Sequence, residues 1–91
     1  MILVRETFIA KPGMASKLAR LIKEATVAHK TRVMTDLAGQ FNHVVMETEF
    51  ENLAEFEKRM QQYRENQEMK TKMSGYTDMY QTGSREIYQL L

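Results

Sequence analysis

The chain has no cysteine and no tryptophan, and its 91 residues include one proline and four glycines. Without cysteine there is no disulfide framework and no thiolate chemistry, and His29 and His43 lack the partners of a structural zinc pattern. No metal site and no cofactor are expected. Gly13, Gly39, Gly75 and Gly83 are too dispersed to form a phosphate-cradling loop, and no nucleophile motif occurs. An excess of one charge is also missing: thirteen basic and twelve acidic side chains leave a formal net charge of +1, spread along the chain without a basic stripe. Nucleic acid is therefore not an expected partner. The first apolar run is broken by Arg5 and Glu6, so it is neither a membrane span nor a secretory signal, and the sequence predicts a cytoplasmic protein with no membrane partner. With no proline-rich or glycine-rich tract to serve as a linker, residues 1–91 read as a single domain.

What is present is an order of elements. Ile2 to Ala10 is a strand-like run stopped by Lys11-Pro12-Gly13, where proline presets its own φ and glycine admits either sign of φ. Met14, Leu18, Leu21, Ile22, Ala25 and Ala28 recur at three- and four-residue spacing, predicting a helix from about Gly13 to about Lys30. Thr31 to Leu37 and Phe41 to Phe50 form a hairpin around Ala38-Gly39-Gln40, with Val44, Met46, Thr48 and Phe50 on the face toward the helices. Asn52 with Glu55 is a capping-box variant that opens a second helix, with Leu53, Phe56, Met60 and Tyr63 as its apolar stripe. Arg64 to Lys72 is strongly polar, and Ser74-Gly75 predicts a break before a short helix over Tyr76 to Gln81, closed by Gly83. Arg85 to Leu91 is the last strand.

This is the βαββαβ plan of an α+β, ferredoxin-like fold, with an antiparallel sheet in the order 4-1-3-2 and helices on one face. A chain this small buries only about 60 to 65% of the surface exposed when unfolded. The other sheet face needs cover, and a homodimer formed through it is the expectation.

The Lys11-Pro12-Gly13 strand end, the Gly39 turn, the Asn52-Leu53-Ala54-Glu55-Phe56 helix start and the Gly83-Ser84-Arg85-Glu86-Ile87-Tyr88 finish together resemble the dimeric α+β barrel superfamily. The layout is most similar to its small NIPSNAP-like and antibiotic-biosynthesis-monooxygenase-like members, over essentially the whole chain. The resemblance implies two ferredoxin-like sheets packed face to face, with a pocket between sheet and helices in each protomer. Cofactor-free monooxygenases and haem-degrading members commonly use a pocket Trp with Asn and His. This chain has no Trp, so that chemistry does not carry over, and Asn42 and His43 are not aligned to the family's functional pair.

Two candidate catalytic residues emerge, each with a plainer alternative. Glu6 lies between Val4 and Phe8 on one strand face, where a carboxylate is either a pocket acid or base, or is covered by a Lys or Arg or turned to an edge. His43 shares a strand face with Glu47, but about 13 Å of strand separates their Cα atoms, so they make a poor metal pair. They better suit a polar strand face at the dimer interface or its solvated rim. His29, beside Lys30, is expected to act at the end of the first helix, where a cation favours the dipole. Tyr63, Tyr76, Tyr80 and Tyr88 with Met60, Met69, Met73 and Met79 enrich the second half in adaptable apolar side chains, suited to a loosely specified core or a pocket. Phe8, Met46, Phe56, Met60 and Tyr76 are the expected pocket wall. The charged positions from 55 to 72 read as a solvated helix face. The leading functional expectation is a dimer that binds an apolar or aromatic small molecule. The alternatives are a cofactor-independent monooxygenase or isomerase acting on an aromatic or quinone-like substrate, with Glu6 or His43 moving a proton, and a structural or partner-binding dimer without a ligand.

Overall fold

The computed structural model describes residues 1–27 and 29–91. Strands β1 (Ile2–Ala10), β2 (Thr31–Thr35), β3 (His43–Phe50) and β4 (Tyr80–Gln89) form one antiparallel sheet in the order β2-β3-β1-β4. This is the expected 4-1-3-2 order. Helices α1 (Ala15–Ala25), α2 (Leu53–Glu65) and α3 (Gln67–Lys72) and a 3-10 turn at Tyr76–Asp78 fill the connections. None of the helices is long and apolar enough to cross a membrane.

Pairing parity sorts the side chains. Val4 faces Thr48 and Ile87, Glu6 faces Met46 and Arg85, and Phe8 faces Val44 and Gly83. These even positions of β1 and β3 and odd positions of β4 make the helix side, because successive side chains alternate across a pleated strand. On β3, Val44, Thr48 and Phe50 are buried, as the alternation predicts. Gly83 lies inside β4: a Cβ there would meet Phe8 Cδ1 at 3.3 Å, so glycine leaves room for the Phe8 ring, which packs on Tyr80 at 4.9 Å. The expectations of a helix over Tyr76 to Gln81 closed by Gly83, and of a last strand starting at Arg85, are therefore corrected. Pairing with β1 extends the strand back to Tyr80.

The helices are shorter than their periodicity suggests. Leu18, Ile22 and Ala25 of α1 are buried, but the helix ends at Ala25 rather than near Lys30. The Thr26 amide and hydroxyl both donate to the Ile22 carbonyl, at 3.0 and 2.8 Å, and Thr26-Val27 is a β-branched pair that propagates a helix poorly. Val27 is 80% exposed; Ala28, placed by its spacing on the apolar stripe, lies outside the described residues. The hairpin strands are also shorter than the apolar runs, ending at Thr35 and restarting at His43, with Phe41 and Leu37 exposed. Asn42 takes φ 67° at that restart, and the Asp36 carboxylate accepts from the His43 amide at 3.0 Å. At α2 the Asn52 side chain accepts from the Glu55 amide at 3.0 Å, as expected of a cap. The reciprocal bond from the Glu55 side chain is absent among the described residues. Leu53, counted in the apolar stripe, is exposed at the first turn. Asn66 ends α2 and caps α3, accepting from the Met69 amide at 3.0 Å.

Two small clusters form the core. Ile2, Val4, Phe50 and Phe56 pack at one end, with the Phe50 and Phe56 rings edge to face at 5.4 Å; Ala10, Leu18, Ile22 and Val44 pack at the other. The helix-free face carries a charge network instead. Arg5 Nε donates to Glu47 Oε2 at 2.7 Å and Arg32 Nη2 to Glu47 Oε1 at 2.6 Å. Glu47 is only 8% exposed because these two guanidinium groups lie over it. The hydrogen bond from Arg5, joined by Arg32, holds the Glu47 carboxyl below its ordinary range despite partial desolvation. His43 shares this face but makes no contact with Glu47, as their strand separation requires.

Two outcomes follow from this packing. Leu18→Ala removes a fully buried side chain and destabilises by about 2 to 5 kcal/mol, whereas Val27→Ala stays within about 0.5 kcal/mol, both read by urea denaturation. Because the Glu47 carboxyl is more acidic folded than unfolded, its ion pairs stabilise above the unfolded carboxylate range and that contribution disappears as pH falls through the folded value. Glu47→Gln therefore lowers the unfolding free energy at pH 7 by up to about 1 kcal/mol per lost pair, and the denaturation midpoint with it. Its midpoint converges with that of wild type at the acid end of a pH series; a constant gap across that series would refute the assignment.

Candidate functional site

Between the two core clusters the helix side of the sheet is not filled. A cleft of about 260 Å³ opens there, floored by β1 and β3 and walled by α1, α2, α3 and the 3-10 turn. Its incompleteness follows from the sequence. Glu6 and Met46 are cross-strand neighbours at the centre of the sheet, where a charged and an unbranched side chain stand in place of two β-branched ones. α1 stops short of covering them, and the polar break at Asn66 turns α3 away from the line of α2.

Glu6 sits in the floor with its side chain 16% exposed, and Arg85, its cross-strand partner on β4, donates from Nε to Glu6 Oε1 at 3.2 Å. The guanidinium carbon of Arg85 also lies 5.3 Å from the centre of the Phe56 ring. An arginine thus covers Glu6, one of the two arrangements the sequence left open, yet the pair remains inside the cleft. Tyr63 of α2 and Tyr76 of the 3-10 turn are half-buried opposite it. Burial raises the pKa of both phenols, and the Glu6 charge adds to the rise. Both phenols are therefore neutral at pH 7, with the Tyr76 hydroxyl directed at the oxygen of Tyr63 and the Tyr63 hydroxyl left to donate. Soft, apolar side chains, Phe8, Met46, Phe56, Met60, Met69 and Met73, make much of the wall, with Gln62 and Asn66 of polar character among them.

All five expected wall residues, Phe8, Met46, Phe56, Met60 and Tyr76, line the cleft together with Glu6. His43 does not join them. It stands on the opposite face of the sheet, so Glu6 and His43 cannot act on one bound molecule. The expectation that His29 acts at a helix end is corrected, since α1 ends four residues earlier; His29 instead lines the cleft mouth. Burial, and then the nearby Arg59 charge, lower its pKa, so the neutral imidazole is favoured. Arg59 is the residue that the sequence reading passed over. It falls three positions after Phe56 and four before Tyr63, within the stripe that faces the sheet, and its guanidinium carbon lies 4.6 Å from the centre of the Phe50 ring. A charged residue inside an apolar helical stripe is the signal that marks it. Among the described residues no group of three or more His, Asp or Glu is placed to hold a metal ion.

No family model and no curated protein matches the chain by sequence. Solved structures match it closely in fold. An uncharacterised NIPSNAP domain protein from Burkholderia xenovorans superposes with a TM-score of 0.87 at 10% identity, covering 100% of this chain and 95% of that one. A NIPSNAP family protein from Agrobacterium tumefaciens superposes with a TM-score of 0.85 at 13% identity, over 97% and 90% of the two chains. A putative antibiotic biosynthesis monooxygenase from Deinococcus radiodurans superposes with a TM-score of 0.71 at 17% identity, over 99% and 92%. The chain therefore has the ferredoxin-like fold of NIPSNAP and antibiotic-biosynthesis-monooxygenase-like proteins, from end to end.

Proposed function

We propose that this protein is a homodimeric binder of an apolar or aromatic small molecule, held in the cleft between sheet and helices. The observation that carries this reading is the cleft itself: about 260 Å³ lined in large part by methionine and aromatic side chains, with charged and phenolic groups among them. A cavity of about 150 Å³ holds benzene, so this one suits two fused rings. Methionine walls adapt to a planar, polarizable guest, and the buried tyrosine hydroxyls fix its orientation.

The dimer is proposed through the helix-free sheet face. Leu3, Ile9 and Val45 are part-covered there, while Met34 and Tyr88 are 38% and 40% exposed, around the Arg5–Glu47–Arg32 network. Joining two such faces removes this apolar surface from water, and the internally paired charges limit the cost of burying them.

A second reading is favoured by one particular of the site. Glu6, Tyr63 and Tyr76 bring a carboxylate and two neutral phenols to one cleft, an arrangement able to move a proton on a bound aromatic or quinone-like substrate. Cofactor-independent oxygenation or isomerisation is the corresponding activity, with Glu6 as the base, and the similarity in fold to a putative antibiotic biosynthesis monooxygenase agrees with it. Turnover of a hydroquinone by wild type that falls at least a hundredfold in Glu6→Gln, with KM little changed, would establish this reading over simple binding.

The binding reading is tested with 2-naphthylmethanol by isothermal titration calorimetry, a readout that does not depend on the protein's own aromatic side chains. Saturable one-to-one binding per protomer is expected, weakened at least tenfold by Met60→Trp, which fills the cleft, with the circular dichroism spectrum retained. Light scattering at micromolar concentration is expected to give a dimer mass for wild type and a monomer mass for Leu3→Glu. A monomeric wild type would exclude the proposed assembly.

A further inference from the structure

We infer that the cleft selects planar apolar acids, molecules with an aromatic or conjugated body and one carboxylate or enolate group, and that Arg59 is the residue that recognises the anionic end. The inference rests on the binding reading above and adds the charge of the ligand to it.

The charges that line the cleft do not cancel. Glu6 is matched by Arg85 at 3.2 Å, which leaves the floor neutral. His29 at the mouth favours its uncharged form. Arg59 remains, and no carboxylate lies within 4.0 Å of it among the described residues, where the ion pairs are those of Arg5, Arg32, Lys72 and Arg85. Its guanidinium is part-buried and stacked over Phe50, 4.6 Å from the ring centre. That stacking holds the fork in place without using its N–H donors, because a cation–π contact engages the flat face. An oriented, partly desolvated guanidinium beside an apolar wall suits a carboxylate, which accepts two parallel N–H bonds.

The location sets the shape of the ligand. Arg59 and Met60 are adjacent on α2, and Phe56 lies one turn before them, so a molecule lying along the methionine wall brings its end to the guanidinium. A neutral molecule of the same shape gains the wall but leaves the cation unmatched. A cationic one meets Arg59 directly and is repelled. Charge-assisted hydrogen bonds exceed neutral ones by enough to give roughly ten- to a hundredfold in affinity.

The experiment compares 2-naphthoate with its neutral isostere 2-naphthamide by fluorescence titration of the full chain at pH 7.5, in wild type, Arg59→Gln, Arg59→Lys and Lys58→Gln. Lys58 is exposed on the neighbouring helix position and is not part of the cleft lining, so it controls for the overall charge of the protein. Wild type is expected to bind naphthoate at least tenfold more tightly than naphthamide. Arg59→Gln should abolish that preference by weakening naphthoate much more than naphthamide, Arg59→Lys should retain part of it, and Lys58→Gln should retain all of it. Equal binding of the two probes to wild type, or a preference that survives Arg59→Gln, would overturn the role of Arg59 and leave the cleft as a binding site. Failure of both probes to bind would overturn the binding reading and this inference with it.

Discussion

β1 is hydrogen-bonded on both sides, to β3 and to β4, and both pairings run antiparallel and in register from Ile2 to Ile9. Because side chains alternate strictly along a strand, one choice of parity on β1 decides which residues of all three strands face the helices. A slip of one residue would send Glu6 and Arg85 to the open face and bring Arg5, Glu47 and Glu86 beneath the helices. The register is held by the cost of that exchange. On the helix side it buries Val4 against Thr48 and Phe8 against Val44, and on the other it lets two arginines meet Glu47. The cleft, the ion-pair network and the proposed dimer surface all depend on this parity.

The same parity separates two uses of charge. On the open face Glu47 is bracketed by Arg5 and Arg32, and Arg5 also reaches Glu86 at 4.0 Å and stacks over Tyr88. Arg5, Arg32, Glu47 and Glu86 are paired with one another there, and Glu49, on the same face, has no ion pair among the described residues, so a covering surface has one carboxylate left to match or to keep at its rim. In the cleft Glu6 and Arg85 are likewise matched, and Arg59 is the exception. An unmatched guanidinium next to apolar walls contributes little to folding and costs some desolvation. A bound anion is what would offset that cost.

Much of the frame was legible because local chemistry and burial agree there. The β1 alternation, the Pro12-Gly13 turn, the buried face of β3 and the Asn52 cap all follow from side-chain spacing and backbone preference. The connection after α2 was less legible. Asn66 terminates one helix and starts another with no proline or glycine to mark it, and only its side-chain acceptor reveals the cap. Gly83 was misleading because glycine near a helix end and glycine opposite an aromatic ring look alike in sequence, and the pairing with Phe8 is set by β4 register. The wall of the cleft was legible from its methionines and aromatics. Its charged members were not, since Arg59 lies within a largely polar helix and Arg85 reaches Glu6 only through a pairing of residues 79 positions apart.

That distinction bears on what the fold can say about chemistry. Neighbours at 10 to 17% identity superpose on nearly the whole chain with TM-scores of 0.71 to 0.87, so the fold is reached from very different sequences. The frame requires only apolar residues at alternating and helical spacings, which many sequences satisfy, and it sets no requirement on the few positions that point into the space between sheet and helices. Here the charged and phenolic residues among those positions include Glu6, Arg59, Tyr63, Tyr76 and Arg85. Replacing Arg59, or Glu6 and Arg85 together, by methionine or leucine would suit this fold as well or better, because buried or half-buried polar groups cost desolvation that an apolar side chain does not. The proposed ligand, with one polar, anionic end, would account for their presence in a cleft that the fold alone would fill with hydrocarbon.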